Sequence, residues 1–121
     1  MKLVNAQLEG VIEALADVSQ NRLPGPIALQ ISRSKRAVAE AFGDITEARD
    51  TLIKAHAPKD AEAITPEDDG WDEFTKAFVE MLNGETEIDA KPIDIDELTA
   101  NGASFKPDSL GLLEYVGLLK D

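Results

Sequence analysis

The chain has 121 residues, of which 43% are apolar, 30% are charged and none is cysteine, so residues 1–121 read as a single domain able to bury a modest core. The lack of cysteine excludes disulfides, thiolate metal sites and cysteine nucleophiles. Neither the opening Met1-Lys2-Leu3-Val4-Asn5 nor any later stretch has the apolar run of a secretion signal or a membrane span, and a soluble protein is expected.

The net charge of −12 is unevenly placed. Residues 1–57 carry seven basic and seven acidic side chains, residues 58–104 carry three lysines against fourteen carboxylates, and residues 105–121 carry two against three. From Val18 to Ala39 there is no acid, but there are Arg22, Arg33, Lys35 and Arg36. Such a dipolar chain opposes non-specific binding to nucleic acid and favours basic protein partners.

In chain order, Val4, Leu8, Val11, Leu15 and Val18 recur at helical steps with Ile12 beside them, which predicts an amphipathic helix from about Asn5 to Gln20 with Asn5 as its N-cap. Leu23-Pro24-Gly25-Pro26 must end it, and Pro26 suits the first turn of a following helix. So short a turn makes the two helices antiparallel neighbours.

From Pro26 to Ala57, the residues Ile27, Ile31, Val38, Phe42, Ile45 and Leu52 hold one stripe of a long helix. Ala37, Ala41, Ala48 and Ala55 line a neighbouring face, as either close packing or plain helix propensity would place them. Gly43, followed by the cap-like Asp44-Ile45-Thr46-Glu47, could divide the helix. The apolar phase runs on across it, however, and a continuous or mildly kinked helix is expected. At 1.5 Å per residue the first helix spans roughly 24 Å and the second roughly 48 Å, so the first covers about half of the second. Ile45, Leu52 and Ile53 on the overhang then need cover from the C-terminal segments or from a second copy of the chain.

Residues 58–64 read as a linker. Thr65 as N-cap, Pro66 next and Asp68 at the third position announce another helix, with Trp71, Phe74, Phe78, Met81 and Leu82 on its apolar face and Asn83-Gly84 at its end. Glu85 to Ile95 alternates in period and suggests two short strands or a β-hairpin. After Asn101-Gly102, Pro107 or Asp108 opens a last helix with Leu110, Leu112, Leu113, Val116 and Leu119 inward. The expected fold is therefore mainly α. It comprises an antiparallel helical hairpin over 1–57 with one long helix, and a small C-terminal α/β segment over 65–121.

Little in the chain suggests chemistry. The sole histidine, His56, suits the carbonyl end of the long helix, and one histidine without cysteine cannot build a Ser-His-Asp, Cys-His or multi-histidine metal site. Glu67, Asp68, Asp69, Asp72 and Glu73 form the densest carboxylate cluster, but acids belong in a first helical turn, and Asp94-Ile95-Asp96-Glu97 lacks the glycine and closing glutamate of a calcium loop. Arg33, Lys35 and Arg36 are too few for a nucleic-acid grip. They are expected to dock on the acidic segment of this chain or of a second copy, with Arg36–Glu40 and Asp50–Lys54 as ordinary helix pairs. No cofactor or metal is expected.

The order of features carries one resemblance. The opening Leu3-Val4-Asn5-Ala6, the Leu23-Pro24 turn into a long helix, Leu82-Asn83 followed by Glu85-Thr86-Glu87-Ile88-Asp89 and Pro92-Ile93, and the leucine-rich last helix together resemble small acidic proteins of tailed bacteriophages and prophages. That family has no agreed molecular activity and lends no functional residue. The resemblance implies a phage setting, in the cytoplasm of a bacterial host or associated with the virion.

Two readings follow. One is a non-enzymatic interaction or assembly protein, self-associating or binding another protein through the apolar overhang of Ile45, Leu52 and Ile53. The other is an acidic, DNA-mimic-like inhibitor of a host nucleic-acid-binding protein that presents Asp68, Asp69, Asp72 and Glu73 among its carboxylates.

Overall fold

Pro24 divides the first half of the chain. Its extended ψ of 143° stops one helix, and its carbonyl accepts the Ala28 N–H at 2.9 Å to start the next. In the computed structural model, which describes residues 1–120, helix α1 runs Leu8–Val18 and helix α2 runs Gly25–His56. Asn21 closes the end of α1 by donating its side-chain amide to the carbonyls of Asp17 and Val18, satisfying acceptors that a helix end leaves open. Pro26 sits in the first turn of α2, where a missing N–H costs nothing.

Helix α2 is continuous over 32 residues and passes through Gly43 without a break. The apolar phase prevails over the local cap signal. Ile27, Ile31, Val38 and Ala41 of α2 are buried in one cluster with Leu8, Val11, Leu15 and Val18 of α1. Each such large side chain removed from water contributes about 1.5–3 kcal/mol before entropy is counted.

The rest of the chain wraps these two helices. Helix α3, Trp71–Asn83, packs along α2 and carries a row of rings, Trp71 to Phe74 at 5.9 Å and Phe74 to Phe78 at 5.7 Å. A one-turn helix α4, Ile95–Leu98, buries Leu98 in the core, and helix α5, Pro107–Tyr115, packs against α1. Ser109 donates to Asp17 at 2.9 Å across that contact.

Four short strands complete the described residues: β1 Lys2–Val4, β2 Glu85–Glu87, β3 Ile93–Asp94 and β4 Leu119–Lys120. Strand β1 pairs antiparallel with β2, with Leu3 opposite Thr86, and β3 pairs in parallel with β4, with Ile93 opposite Leu119. The mainly α fold built on a long-helix hairpin is as expected, but the β-hairpin within it is not formed. The two strands of Glu85–Ile95 turn away from each other, and each takes a partner from an end of the chain.

Asn5 is not the side-chain cap of a helix. A short 3-10 turn, Asn5–Gln7, precedes α1. The Asn5 side-chain amide donates to the Met81 carbonyl at 2.7 Å, its backbone N–H donates to the Gly84 carbonyl at 2.8 Å, and the Thr86 hydroxyl donates to its side-chain oxygen. The strand at Lys2–Val4 draws Asn5 towards the end of α3, which outcompetes the local cap. The third helix also begins later than its cap-like signal. Asp68 accepts the Thr65 N–H at 2.8 Å and closes a turn, and the helix starts only at Trp71.

Candidate interaction surface

The interior of the described residues holds no buried charge, and Ser34 is its one buried polar side chain. No three side chains among the described histidine, aspartate and glutamate residues converge as metal ligands would.

The proposed apolar overhang is half-covered. Ile45, Leu52 and Ile53 are each of intermediate exposure, and Ile45 packs against the main core. Helix α3 provides cover along α2, and at its start Gly70 lies against the end of α2. A Cβ built on Gly70 would stand 2.1 Å from the His56 carbonyl oxygen. His56 Nδ1 also lies 3.8 Å from a Glu73 carboxylate oxygen. The acidic stretch at 67–73 is thereby anchored at the C-terminal end of the long helix.

Within that stretch the carboxylates divide by role. Asp68 is half-buried and holds the Thr65 turn, while Asp69, Asp72 and Glu73 are exposed. Asp94 behaves like Asp68, accepting the Asp96 N–H at 2.8 Å as the cap of α4. Every other carboxylate between residues 58 and 104 is exposed.

The basic residues lie elsewhere. Arg33, Lys35 and Arg36 stand on the N-terminal half of α2, and none of them pairs with a carboxylate among the described residues. The island forms no ion pair with the chain's own acidic segment: the stretch at 67–73 is anchored at the opposite end of the helix, and Asp89, which lines the same groove as Arg33 and Arg36, bridges to neither. Arg36–Glu40 and Asp50–Lys54 are not paired either; Arg49 holds Asp50 instead, at 3.3 Å.

One further surface of α2 carries polar rather than apolar residues at helical spacing. Opposite the core stripe of α2, at alternating steps of four and three, stand Leu29, Arg33, Arg36, Glu40, Gly43, Glu47, Asp50 and Lys54, and every one of them is exposed. This spacing keeps them on a single face. Leu29 is 52% exposed, and a Cβ built on Gly43 meets nothing within 4 Å. The face is bare along its length. Beside its first half runs an open groove of about 720 Å³ bounded by Leu29, Arg33 and Ala37 on α2 and by Asp89, Ala90 and Lys91 on the loop opposite. The signal was present in the sequence, in polar residues at helical spacing rather than apolar ones.

No helix among the described residues is long and apolar enough to cross a membrane. Comparison with protein-family models, curated proteins and solved structures gives no match.

Proposed function

We propose that this chain is a non-enzymatic interaction or assembly protein of a phage or prophage, acting through helix-mediated protein–protein contacts in the host cytoplasm or in the virion. The phage setting rests on the order of sequence motifs described above. The contact role rests on one observation: the bare face of α2 from Leu29 to Lys54, about 38 Å of rigid helix at 1.5 Å per residue.

A continuous helix is a suitable platform for this role because its side chains are held in register without reorganisation on binding. A photo-crosslinking amino acid at Glu40, at the middle of the face, tests it in the chain's native host. Covalent adducts of discrete mass are expected from Glu40, and none from a control position at Lys106, which is exposed beside α5. A failure of Glu40 to give adducts beyond the control would overturn the reading.

The second reading is an acidic inhibitor that presents carboxylates in place of DNA phosphates. The exposure of all the carboxylates of 58–104 other than Asp68 and Asp94 supports it. It predicts a complex with a basic nucleic-acid-binding protein that weakens with salt and is lost when Asp69, Asp72 and Glu73 are neutralised together. The α2 reading predicts that the same substitutions leave the Glu40 adducts in place.

A further inference from the structure

The order of charges along the bare face of α2 is self-complementary when read in reverse. Numbered from its midpoint, between residues 41 and 42, the face pairs Leu29 with Lys54, Arg33 with Asp50, Arg36 with Glu47 and Glu40 with Gly43. Two of the four matches join a guanidinium to a carboxylate, and none joins like charges. Because both the positions and the signs repeat under this reversal, the face can meet a second copy of itself across a two-fold axis.

We propose that a second copy of this chain is the occupant of this face, with the two α2 helices antiparallel, so that Arg33 and Arg36 of each copy lie against Asp50 and Glu47 of the other. This deepens the reading of the face as a contact surface, and rests on it. The alternating four-three spacing averages 3.5 residues, the repeat that keeps a seam in contact between two gently supercoiled helices.

The alternative arrangements are disfavoured by charge. A parallel pair would set arginine on arginine and carboxylate on carboxylate. It would also bring together the two acidic stretches at 67–73, which are anchored beside His56 at the end of α2. The antiparallel pair sends those stretches to opposite ends and lays each towards the basic half of the other copy. Helix dipoles favour the same orientation.

The side chains are available for it. Arg33, Arg36 and Glu47 form no ion pair within the described chain, and Asp50 uses only Oδ1, on Arg49. Glu40 lies opposite Gly43, but at 1.5 Å per residue the Glu40 carboxylates of the two copies come within about 5 Å of each other along the axis, a like-charge approach that weakens the pair. The face from Leu29 to Lys54, about 38 Å long and about 10 Å wide on each copy, amounts to about 760 Å² in total, in the range of weak, transient interfaces. Exposed ion pairs contribute little each, so the dimer is weak and sensitive to both concentration and salt.

Charge exchange tests this arrangement. The samples are the unmodified chain, an Arg33→Glu/Arg36→Glu variant, a Glu47→Lys/Asp50→Lys variant, and a chain carrying all four changes, with mass read by sedimentation equilibrium over a wide range of protein concentration. The unmodified chain is expected to rise from 13.1 kDa towards twice that mass. Each double variant alone is expected to stay monomeric. An equimolar mixture of the two is expected to dimerise, because one then offers four acids where the other offers four bases, and the fourfold exchange is expected to restore self-association.

Rescue in the mixture and in the fourfold chain separates lost pairing from lost folding. A chain that stays at 13.1 kDa at every concentration would overturn the proposal. So would double variants that associate as the unmodified chain does, an inert mixture, or growth beyond a dimer. If Glu40 still crosslinked to a different protein in any of those cases, the contact role of the face would stand and only the identity of its occupant would fall.

Discussion

Gly70 and the carbonyl of His56 are in contact, so close that a Cβ on Gly70 would stand 2.1 Å from the oxygen. This contact joins the start of α3 to the end of α2 and determines how much of the long helix is covered. The obstacle is backbone rather than a flexible side-chain end, and it cannot step aside. Gly70→Ala is therefore expected to lower stability by about 1–3 kcal/mol through overpacking, read as a lower denaturant midpoint with an accompanying change in tryptophan fluorescence from the adjacent Trp71. An unchanged midpoint would mean that the two helix ends do not approach as described.

Gly43 gives the opposite expectation. It lies inside α2 with open space where a Cβ would go, so it contributes only the conformational freedom of glycine to the unfolded chain. Gly43→Ala is expected to raise stability by about 0.5–1 kcal/mol, measured by thermal or denaturant unfolding at a concentration low enough to hold the protein monomeric. A loss of stability would show that α2 bends at this point.

Asn5 ties three segments together through Met81, Gly84 and Thr86. Asn5→Ala removes the side-chain bonds and leaves the partly buried Met81 carbonyl and Thr86 hydroxyl without their partner, an expected cost of about 1–3 kcal/mol. Asn5→Asp keeps an acceptor for Thr86 but loses the donor to Met81, and should fall between. Hydrogen exchange at the β1–β2 amides reports the change locally.

Asp68 and Asp69 are neighbours with different work. Asp68 caps the Thr65 turn at 2.8 Å, whereas Asp69 is exposed. Asp68→Ala is expected to cost about 0.5–2 kcal/mol, in the range of a lost cap, and Asp69→Ala to stay within about 0.5 kcal/mol. Equal effects of the two would indicate that the acidic stretch is structurally uniform.

The long helix was legible because its apolar phase persists from Ile27 to Leu52, strong enough to override both Gly43 and the cap-like residues behind it. Periodicity could not show the strands. Lys2–Val4 has only three residues and merges into the stripe of the following helix, and its partner Glu85–Glu87 lies about eighty residues away. Strands of two residues such as Ile93–Asp94 exist only by virtue of the distant segment they meet. The cap chemistry at Thr65 was real but local, since the same Asp68 contact serves a turn as readily as a helix start.

The contact surface was legible only in part. The apolar pattern points to Ile45, Leu52 and Ile53, which are half-buried, with Ile45 packed against the main core. The face that stays bare carries arginines and carboxylates, and its pattern appears only when charge sign is read along one helical face and then in reverse.

The most direct measurement of the antiparallel α2 pair is the distance between spin labels on two copies, which the cysteine-free chain makes straightforward. Nitroxides are placed at Gly43→Cys in one sample and at Leu29→Cys in another, at a concentration where dimer is present. With the axis between residues 41 and 42, the axial separation is about 5 Å for position 43 and about 38 Å for position 29 at 1.5 Å per residue. A short distance at 43 together with a long one at 29 is the expected result. Equal short distances at both positions would mean a parallel pair, the absence of any dipolar coupling would mean no pair, and either would contradict the account.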